Sequence, residues 1–346
     1  WSSDVCSSDL GMRVDEFGIG FPPKLFGKKW HGTEYTFNAL PIGGFVKIAG
    51  ENAEDVSEDG AIPSDSFAAK SKFAQAAVLI AGVTMNVLFA WVLFVGVYIV
   101  GLPTAVDEVG ATDAAVLTVT QVLPDGPADK AFLPLGAEIT HASIGDDTMT
   151  ALTSTTFQEF TQTAQGNPID ISYTFENQAH EVSIVPEAGL IIDAPERQAV
   201  GVALSMVETI RMPVHLAVVE ATKTTVYSLG AITVGIFSLI SESIRGTADF
   251  SEVAGPIGIV GLVGSAAEFG FTSLLMFTAI ISLNLAVINM LPFPALDGGR
   301  LVMVGIEAVT RRPINPVWVG RVNLVGFGLL MVLMLAVTWN DITKIL

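Results

Sequence analysis

The feature that most constrains this chain is an apolar run that ends at a single carboxylate. Residues 272–296 contain no charged side chain, and such a run can cross a bilayer, which needs about 20 apolar residues. Pro292 and Pro294 interrupt it, because proline lacks the N–H donor that a helix requires. Asp297 follows directly. A carboxylate beside broken backbone at membrane depth indicates a functional site; the alternative is a helix-end residue that caps the next helix.

The composition of the whole chain also indicates a polytopic membrane protein. Of its 346 residues, 51% are hydrophobic and the mean hydropathy is +0.57, which is too apolar for an ordinary soluble protein. The formal net charge of −18 argues against a nucleic-acid partner. The single cysteine, Cys6, excludes an internal disulfide and a cysteine zinc cluster.

Changes in composition along the chain predict seven segments. Residues 1–10 have no periodicity and look foreign, so we expect vector or adapter sequence there; a natural tail is the alternative. The other segments are a β-hairpin or re-entrant region with an acidic loop (11–72), a transmembrane helix (73–102), an α+β domain (103–200), an interfacial amphipathic helical region (201–271), a transmembrane segment with the Pro and Asp motif (272–300), and a loop with a last transmembrane helix (301–346).

Basic residues predict which loops face the cytoplasm. Residues 11–72 contain seven Lys or Arg and residues 300–321 contain four, whereas residues 103–213 contain three. The positive-inside rule therefore puts both basic loops in the cytoplasm and the α+β domain outside. An odd number of crossings must separate that domain from the second basic loop. We accordingly predict that residues 213–241 lie at the interface, with spans near 73–100, 272–296 and 322–339.

The region before the first predicted span has a β pattern. Residues 34–41 and 44–50 are β-rich and are joined by a Pro-Ile-Gly-Gly turn. This pattern predicts a hairpin or a re-entrant loop that presents a strand edge, to which an extended peptide can bind by strand addition. A plain surface hairpin is the alternative.

Several motifs, in a consistent order, resemble one family. NMLPFPALDGG at residues 289–299 matches N-x-x-P-x-P-x-L-D-G-G and resembles the site-2 protease family of intramembrane zinc metalloproteases, peptidase family M50. FGIGFPPKLF, HGTEYTFNALPIGGFVKIAGE, AGVTMN and GPIGI look like its bacterial PDZ-containing branch, the RseP type. VLPDGPADKAFLPLGAEITHASIGDDTM looks like the start of a PDZ domain. The resemblance covers about residues 11–346. It implies a polytopic α-helical membrane protein with an inserted α+β PDZ-like domain and a membrane-associated β-hairpin or re-entrant loop.

The resemblance also implies a site and an activity. Asp297 would be a zinc ligand. Substrate-binding roles would fall to Asn284, Asn289, Pro292, Pro294, Gly44, Phe45 and Val46. The enzyme would lie in the bilayer of a bacterial inner membrane and cut transmembrane segments of single-pass proteins, with an anti-sigma-factor-like protein as one candidate. The extracytoplasmic PDZ-like domain would act as a size filter or docking site.

The sequence departs from the family in one respect, because it contains no H-E-x-x-H. No two of His31, His141, His180 and His215 are four residues apart. We expect the zinc helix upstream of Gly11, which would make the chain truncated and leave it without catalytic residues of its own. The alternatives are a non-catalytic membrane protein that binds substrates and, from another class, an ion- or proton-coupled transporter.

Overall fold

The computed structural model describes residues 11–50, 64–108, 112, 114–175, 178–191, 194–247 and 253–345. The predicted foreign segment 1–10 lies outside them, as does most of the acidic loop. The strands are β1 (Val14–Trp30), β2 (Thr33–Ile48), β3 (Leu102–Val106), β4 (Val116–Val122), β5 (Glu138–Ile144), β6 (Asp147–Thr148), β7 (Ile169–Phe175), β8 (Gln178–Ile184), β9 (Glu187–Ala188), β10 (Gln198–Ala199) and β11 (Val202–Ile210). The helices are α1 (Lys72–Val100), α2 (Pro127–Lys130), α3 (Ser154–Thr163), α4 (Val214–Arg245), α5 (Pro256–Glu268), α6 (Phe271–Met290), α7 (Asp297–Thr310) and α8 (Pro316–Ile345).

The chain divides into two compact units. The first comprises the described parts of residues 1–92, 224–258 and 279–346, and the second those of residues 93–223 and 259–278. The first unit contains β1, β2 and the Asp297 motif. The second contains the other strands.

Strands β1 and β2 are long, bent and antiparallel. Residues 16–19 of β1 pair with β2 residues along both of their edges. One edge pairs with residues 34–37 and the other with residues 44–47. Residues 24–30 of β1 pair with the outer side of residues 33–38. The four segments therefore lie in the order 24–30, 33–38, 14–19 and 44–48.

The predicted β character of residues 11–50 is confirmed, but a direct pairing of residues 34–41 with residues 44–50 is wrong. Residues 16–19 lie between these two segments and pair with both. The hairpin turn is at His31 and Gly32, whose φ angles of 50° and 93° are both left-handed. Two such residues suit the twist of a tight hairpin.

The first turn of α1 is fixed to the chain that precedes it. Gln75 is 2% exposed, and its amide donates to the carbonyl oxygens of Phe67 at 2.9 Å and Lys70 at 3.1 Å. A buried amide without hydrogen-bond partners is costly, so these bonds stabilise the contact between the first turn of α1 and residues 67–70. Ala74 and Val78 pack in a buried cluster with Met12 and Ile48.

Four described helices are long and apolar enough to cross a membrane, namely α1, α4, α6 and α8. The sequence prediction counted three of them, and the additional helix is α4. The most apolar 18-residue window of α4 has a mean hydropathy of 1.5, against 2.1 to 2.4 in the other three. The interfacial position of α4 stays a prediction.

The second unit contains a sheet with the strand order β3-β11-β4-β5-β7-β8, and β6 pairs with β5. Its core contains Leu117, Ile139, Ile171 and Ile184, each at most 1% exposed, and Phe157 of α3 packs against them. The α+β composition is as predicted, but the sheet extends past residue 200. Strand β11 inserts between β3 and β4. The prediction that residues 201–271 are helical is therefore wrong for residues 202–210.

The start of α5 is held by a carboxylate from α8. Asp341, which is 3% exposed, accepts the backbone N–H groups of Gly255 at 3.0 Å and Gly258 at 2.8 Å. A Cβ atom at Gly255 would lie 2.6 Å from Asp341 Oδ2. The glycines of the GPIGI block therefore leave room for this carboxylate, which also complements the helix dipole.

Candidate metal and substrate site

Asp297 lies in the first turn of α7, just after a break in the apolar segment. Helix α6 ends at Met290, and Leu296 is extended, with φ −105° and ψ 160°. Pro292 and Pro294 lie in the connecting loop, where their missing N–H groups prevent the helix from continuing. The predicted break is thus confirmed. The partly buried carboxylate of Asp297 is favoured there, because the N-terminal turn of a helix attracts negative charge.

The two glycines after Asp297 let the loop pack directly on α7. A Cβ atom at Gly298 would lie 2.3 Å from the carbonyl oxygens of Met290 and Leu291. One at Gly299 would lie 2.2 Å from the carbonyl oxygen of Phe293. Because Cβ atoms do not approach oxygen so closely, any other residue would force the loop away and move Asp297.

Helix α8 supports the same loop from another side. A Cβ atom at Gly326 would lie 2.6 Å from the Cβ and carbonyl oxygen of Pro294. Asn323 Oδ1 accepts the N–H of Ala295 at 3.3 Å, and Ala295 has a left-handed φ of 73°. Sequence reasoning missed Asn323 and Gly326. The available signal was a polar residue and a glycine three positions apart in an apolar run.

The two predicted asparagines of α6 do not share a face. Asn289 is five positions after Asn284, which places the two about 140° apart around the helix. The amide of Asn284 donates to the carbonyl oxygen of Ile280 in its own helix at 3.0 Å, whereas Asn289 is half-buried in the last turn. Ser282 Oγ donates to the carbonyl oxygen of Asn86 at 2.9 Å, so the AGVTMN block contacts α6.

Gly44, Phe45 and Val46 lie in the last segment of the β1–β2 sheet. Gly44 pairs with Ile19, and Phe45 pairs with Gly18. A Cβ atom at Gly18 would come within 2.3 Å of the Phe45 ring, so Gly18 provides the space for that ring. Val46 packs against the buried cluster below the sheet.

Asp297 is the one predicted metal ligand, and the described residues do not complete a metal site around it. Within the described ranges, no three His, Cys, Asp or Glu side chains are grouped so that they could hold a metal ion. A catalytic zinc needs three protein ligands. The described residues alone therefore do not fit a catalytic zinc.

Comparison with known proteins identifies the family. Residues 5–333 match Peptidase family M50. The putative zinc metalloprotease CPE1693 of Clostridium perfringens is 33% identical over 333 residues, which cover 96% of this chain and 90% of that protein. Zinc metalloprotease RasP of Oceanobacillus iheyensis is 28% identical, with 100% and 95% covered. The regulator of sigma-W protease RasP of Bacillus subtilis is 27% identical, with 97% and 92% covered. The chain therefore belongs to peptidase family M50, the site-2 protease family of zinc-dependent metalloendopeptidases.

Proposed function

We propose that the protein encoded at this locus is an intramembrane protease that cuts transmembrane segments of single-pass membrane proteins, with Asp297 as one zinc ligand. The observation that carries this proposal is the position of Asp297 in a broken apolar segment. The glycines and the Asn323 contact hold the loop before it. Carboxylates at membrane depth are rare and mark functional sites by default.

Zinc in this family activates a water molecule and polarises the scissile carbonyl. The amino-acid sequence contains no H-E-x-x-H, so we assign this chain only the Asp297 ligand and the residues that position it. A single carboxylate ligand supports no catalytic step by itself.

We propose that Gly44, Phe45 and Val46 bind the substrate as an added strand. Their segment is the last in the strand order of the β1–β2 sheet, and an extended peptide can add to a sheet in this position. Cleavage requires an extended substrate, since a helix hides its own backbone. Asn289, in the last turn of α6, would contact the unwound substrate beside the loop, which Pro292 and Pro294 would keep open. Asn284 lies on another face of α6 and would contact the substrate from there.

We also propose that the β1–β2 sheet lies in the membrane interface. Leu25, Phe26 and Trp30 are 63%, 66% and 64% exposed. Phe26 stacks on Phe37 with ring centroids 5.1 Å apart, and three lysines lie among these apolar residues in residues 24–30 of β1. Exposed aromatic rings beside lysines are typical of segments at the level of the lipid headgroups.

We propose that residues 103–200, together with β11, form the extracytoplasmic PDZ-like domain. It contains a cavity of about 910 Å³ between α3 and the start of β11, lined by Phe157, Thr161, Val202 and Leu204 among others. A cavity of this size beside a helix and a strand offers room for a short extended peptide. The domain would dock substrates or exclude large ones.

The proposed location rests on the distribution of basic residues, and the proposed substrate rests on the name of a relative. We infer a bacterial inner-membrane protein whose two basic loops face the cytoplasm. The relative from Bacillus subtilis is named a regulator of sigma-W protease. We therefore propose that the substrates include single-pass regulators of the anti-sigma-factor type.

The competing function is a non-catalytic membrane protein that binds substrates with the same strand and domain. The absence of H-E-x-x-H from this sequence favours the binding protein, because Asp297 alone cannot hold a catalytic zinc. Sequencing the locus across the 5′ end of the reading frame separates the two proposals. A helix with H-E-x-x-H joined in frame to Gly11 supports the protease, and an upstream helix without these ligands supports the binding protein.

The activity test uses the protein that the locus encodes, purified in detergent. We expect bound zinc, and cleavage of a labelled peptide with one segment of about 20 apolar residues. Asp297→Asn should lose the zinc and at least about 100-fold of the cleavage rate, since even supporting residues of a metal site are worth 10- to 100-fold. Asp170→Asn, an exposed carboxylate of β7, is the control and should change neither. Cleavage retained by Asp297→Asn would refute the ligand assignment.

A further inference from the structure

We propose that the ion pair between Lys72 and Glu307 is a positioning device that fixes the substrate strand, residues 44–48, relative to helix α7 and its Asp297. This proposal rests on the proposed function, because it takes the strand and Asp297 as two parts of one site. The pair joins residues 235 positions apart in the sequence. All of the groups involved belong to the first compact unit.

The ion pair is part of a network rather than an isolated surface contact. Lys72 Nζ lies 2.6 Å from Glu307 Oε2, and the two side chains are 37% and 17% exposed. Glu307 Oε1 accepts the N–H of Ile314 at 2.8 Å, and Lys72 Nζ also donates to Gln75 Oε1 at 3.1 Å. A partly buried pair with further hydrogen bonds is held more strongly than an exposed pair.

On the sheet side, the network reaches the substrate strand through packed side chains. Ile48 at the end of the strand is 4% exposed and packs in one cluster with Ala74 and Val78 of α1. Val46 packs against the same cluster. Since packed interiors transmit displacements, the first turns of α1 and the strand move together.

On the other side, the network reaches Asp297 through a helix. Glu307 lies ten residues after Asp297 in the 14-residue helix α7, a distance of about 15 Å along the axis. The Gly298 and Gly299 contacts hold the start of α7, and Lys72 holds its last turns. Fixing both ends sets the direction of the helix, and therefore the position of Asp297 relative to the strand.

The first test is a double-mutant cycle in the protein that the locus encodes. Glu307→Gln removes the charge but keeps an oxygen that can accept the Ile314 N–H, and Lys72→Met keeps the length of the stem. With the peptide of about 20 apolar residues, each single variant should lower kcat about five- to tenfold with little change in KM. A misaligned substrate still binds but reaches the reactive geometry less often.

The double variant should lose no more activity than either single variant, because the same contact is already broken. Lys130→Met removes an exposed pair with Glu187, at 3.7 Å in the other unit, and should leave kcat unchanged. Multiplying losses in the double variant, or unchanged kcat in the single variants, would overturn the proposal.

A second measurement does not depend on activity. Hydrogen exchange of the backbone amides of residues 44–48 should become faster in Glu307→Gln, although position 307 lies outside the buried cluster that holds this strand. Changes confined to residues around 307–314 would show a local role and would overturn the proposal. A parent protein without cleavage would count against the proposed function, while the exchange data would still decide whether the pair links strand and helix.

Discussion

The contact between Gly299 and the loop gives the sharpest mutational prediction. In Gly299→Ala the new Cβ would lie 2.2 Å from the carbonyl oxygen of Phe293. A carbon–oxygen contact needs about 3.3 Å, so the loop and the first turn of α7 must separate by roughly 1 Å. Such overpacking costs about 1–3 kcal/mol. A displacement of about 1 Å at a reactive site can also cost on the order of 100-fold in rate.

Gly305→Ala is the matched control, because Gly305 is in the same helix and nothing lies within 4 Å of the position that an added Cβ would take. Alanine is favoured over glycine within a helix by about 1 kcal/mol, so this variant should be slightly more stable. Thermal unfolding in detergent, zinc content and peptide cleavage should be measured for the parent and both variants. A Gly299→Ala protein with parental stability and activity would refute the packing argument.

Two further predictions concern carboxylates that hold helix starts. Glu108 accepts the Ser154 hydroxyl and the Thr155 N–H at the start of α3, and these bonds lower the pKa of Glu108. The stabilisation is therefore present above the ordinary pKa of 4.5 and is lost as the pH falls through the lowered value. Glu108→Gln should speed hydrogen exchange in α3 at pH 7, and the difference from the parent should shrink as the pH falls below 4.5. Glu159→Gln should leave exchange in α3 unchanged. A Glu108→Gln effect that does not shrink on acidification would contradict this reasoning. Asp341→Ala should speed exchange at Gly258 by removing its acceptor, with Asp341→Asn intermediate; unchanged exchange in Asp341→Ala would show that the carboxylate does not hold α5.

The sequence predicted features that depend on local pattern. An uncharged run long enough for a bilayer identified α1 and α6, and two prolines identified the break before Asp297. The change in composition at residue 103 predicted an α+β domain, which contains β7, β8 and α3. These features depend on neighbouring residues, because hydrophobic periodicity and missing N–H donors act within a few positions.

Features that depend on distant partners were missed. Pro22 and Pro23 argue against a central strand, yet residues 16–19, just before them, are paired on both edges. Asn323 and Gly326 support a loop about 30 residues away. Glu307 and Lys72 each look like ordinary surface charges until the fold brings them together. No local pattern specifies such pairings.

The double pairing of residues 16–19 restricts where evolution or engineering can lengthen this part of the chain. One residue added between positions 38 and 44 would shift residues 44–47 against β1 while residues 34–37 stayed in register. Since side chains alternate between the faces of a strand, that shift would turn Val46 and Ile48 away from the buried cluster. An insertion in this connection should therefore destabilise the sheet, which limits how this part of the chain can be lengthened.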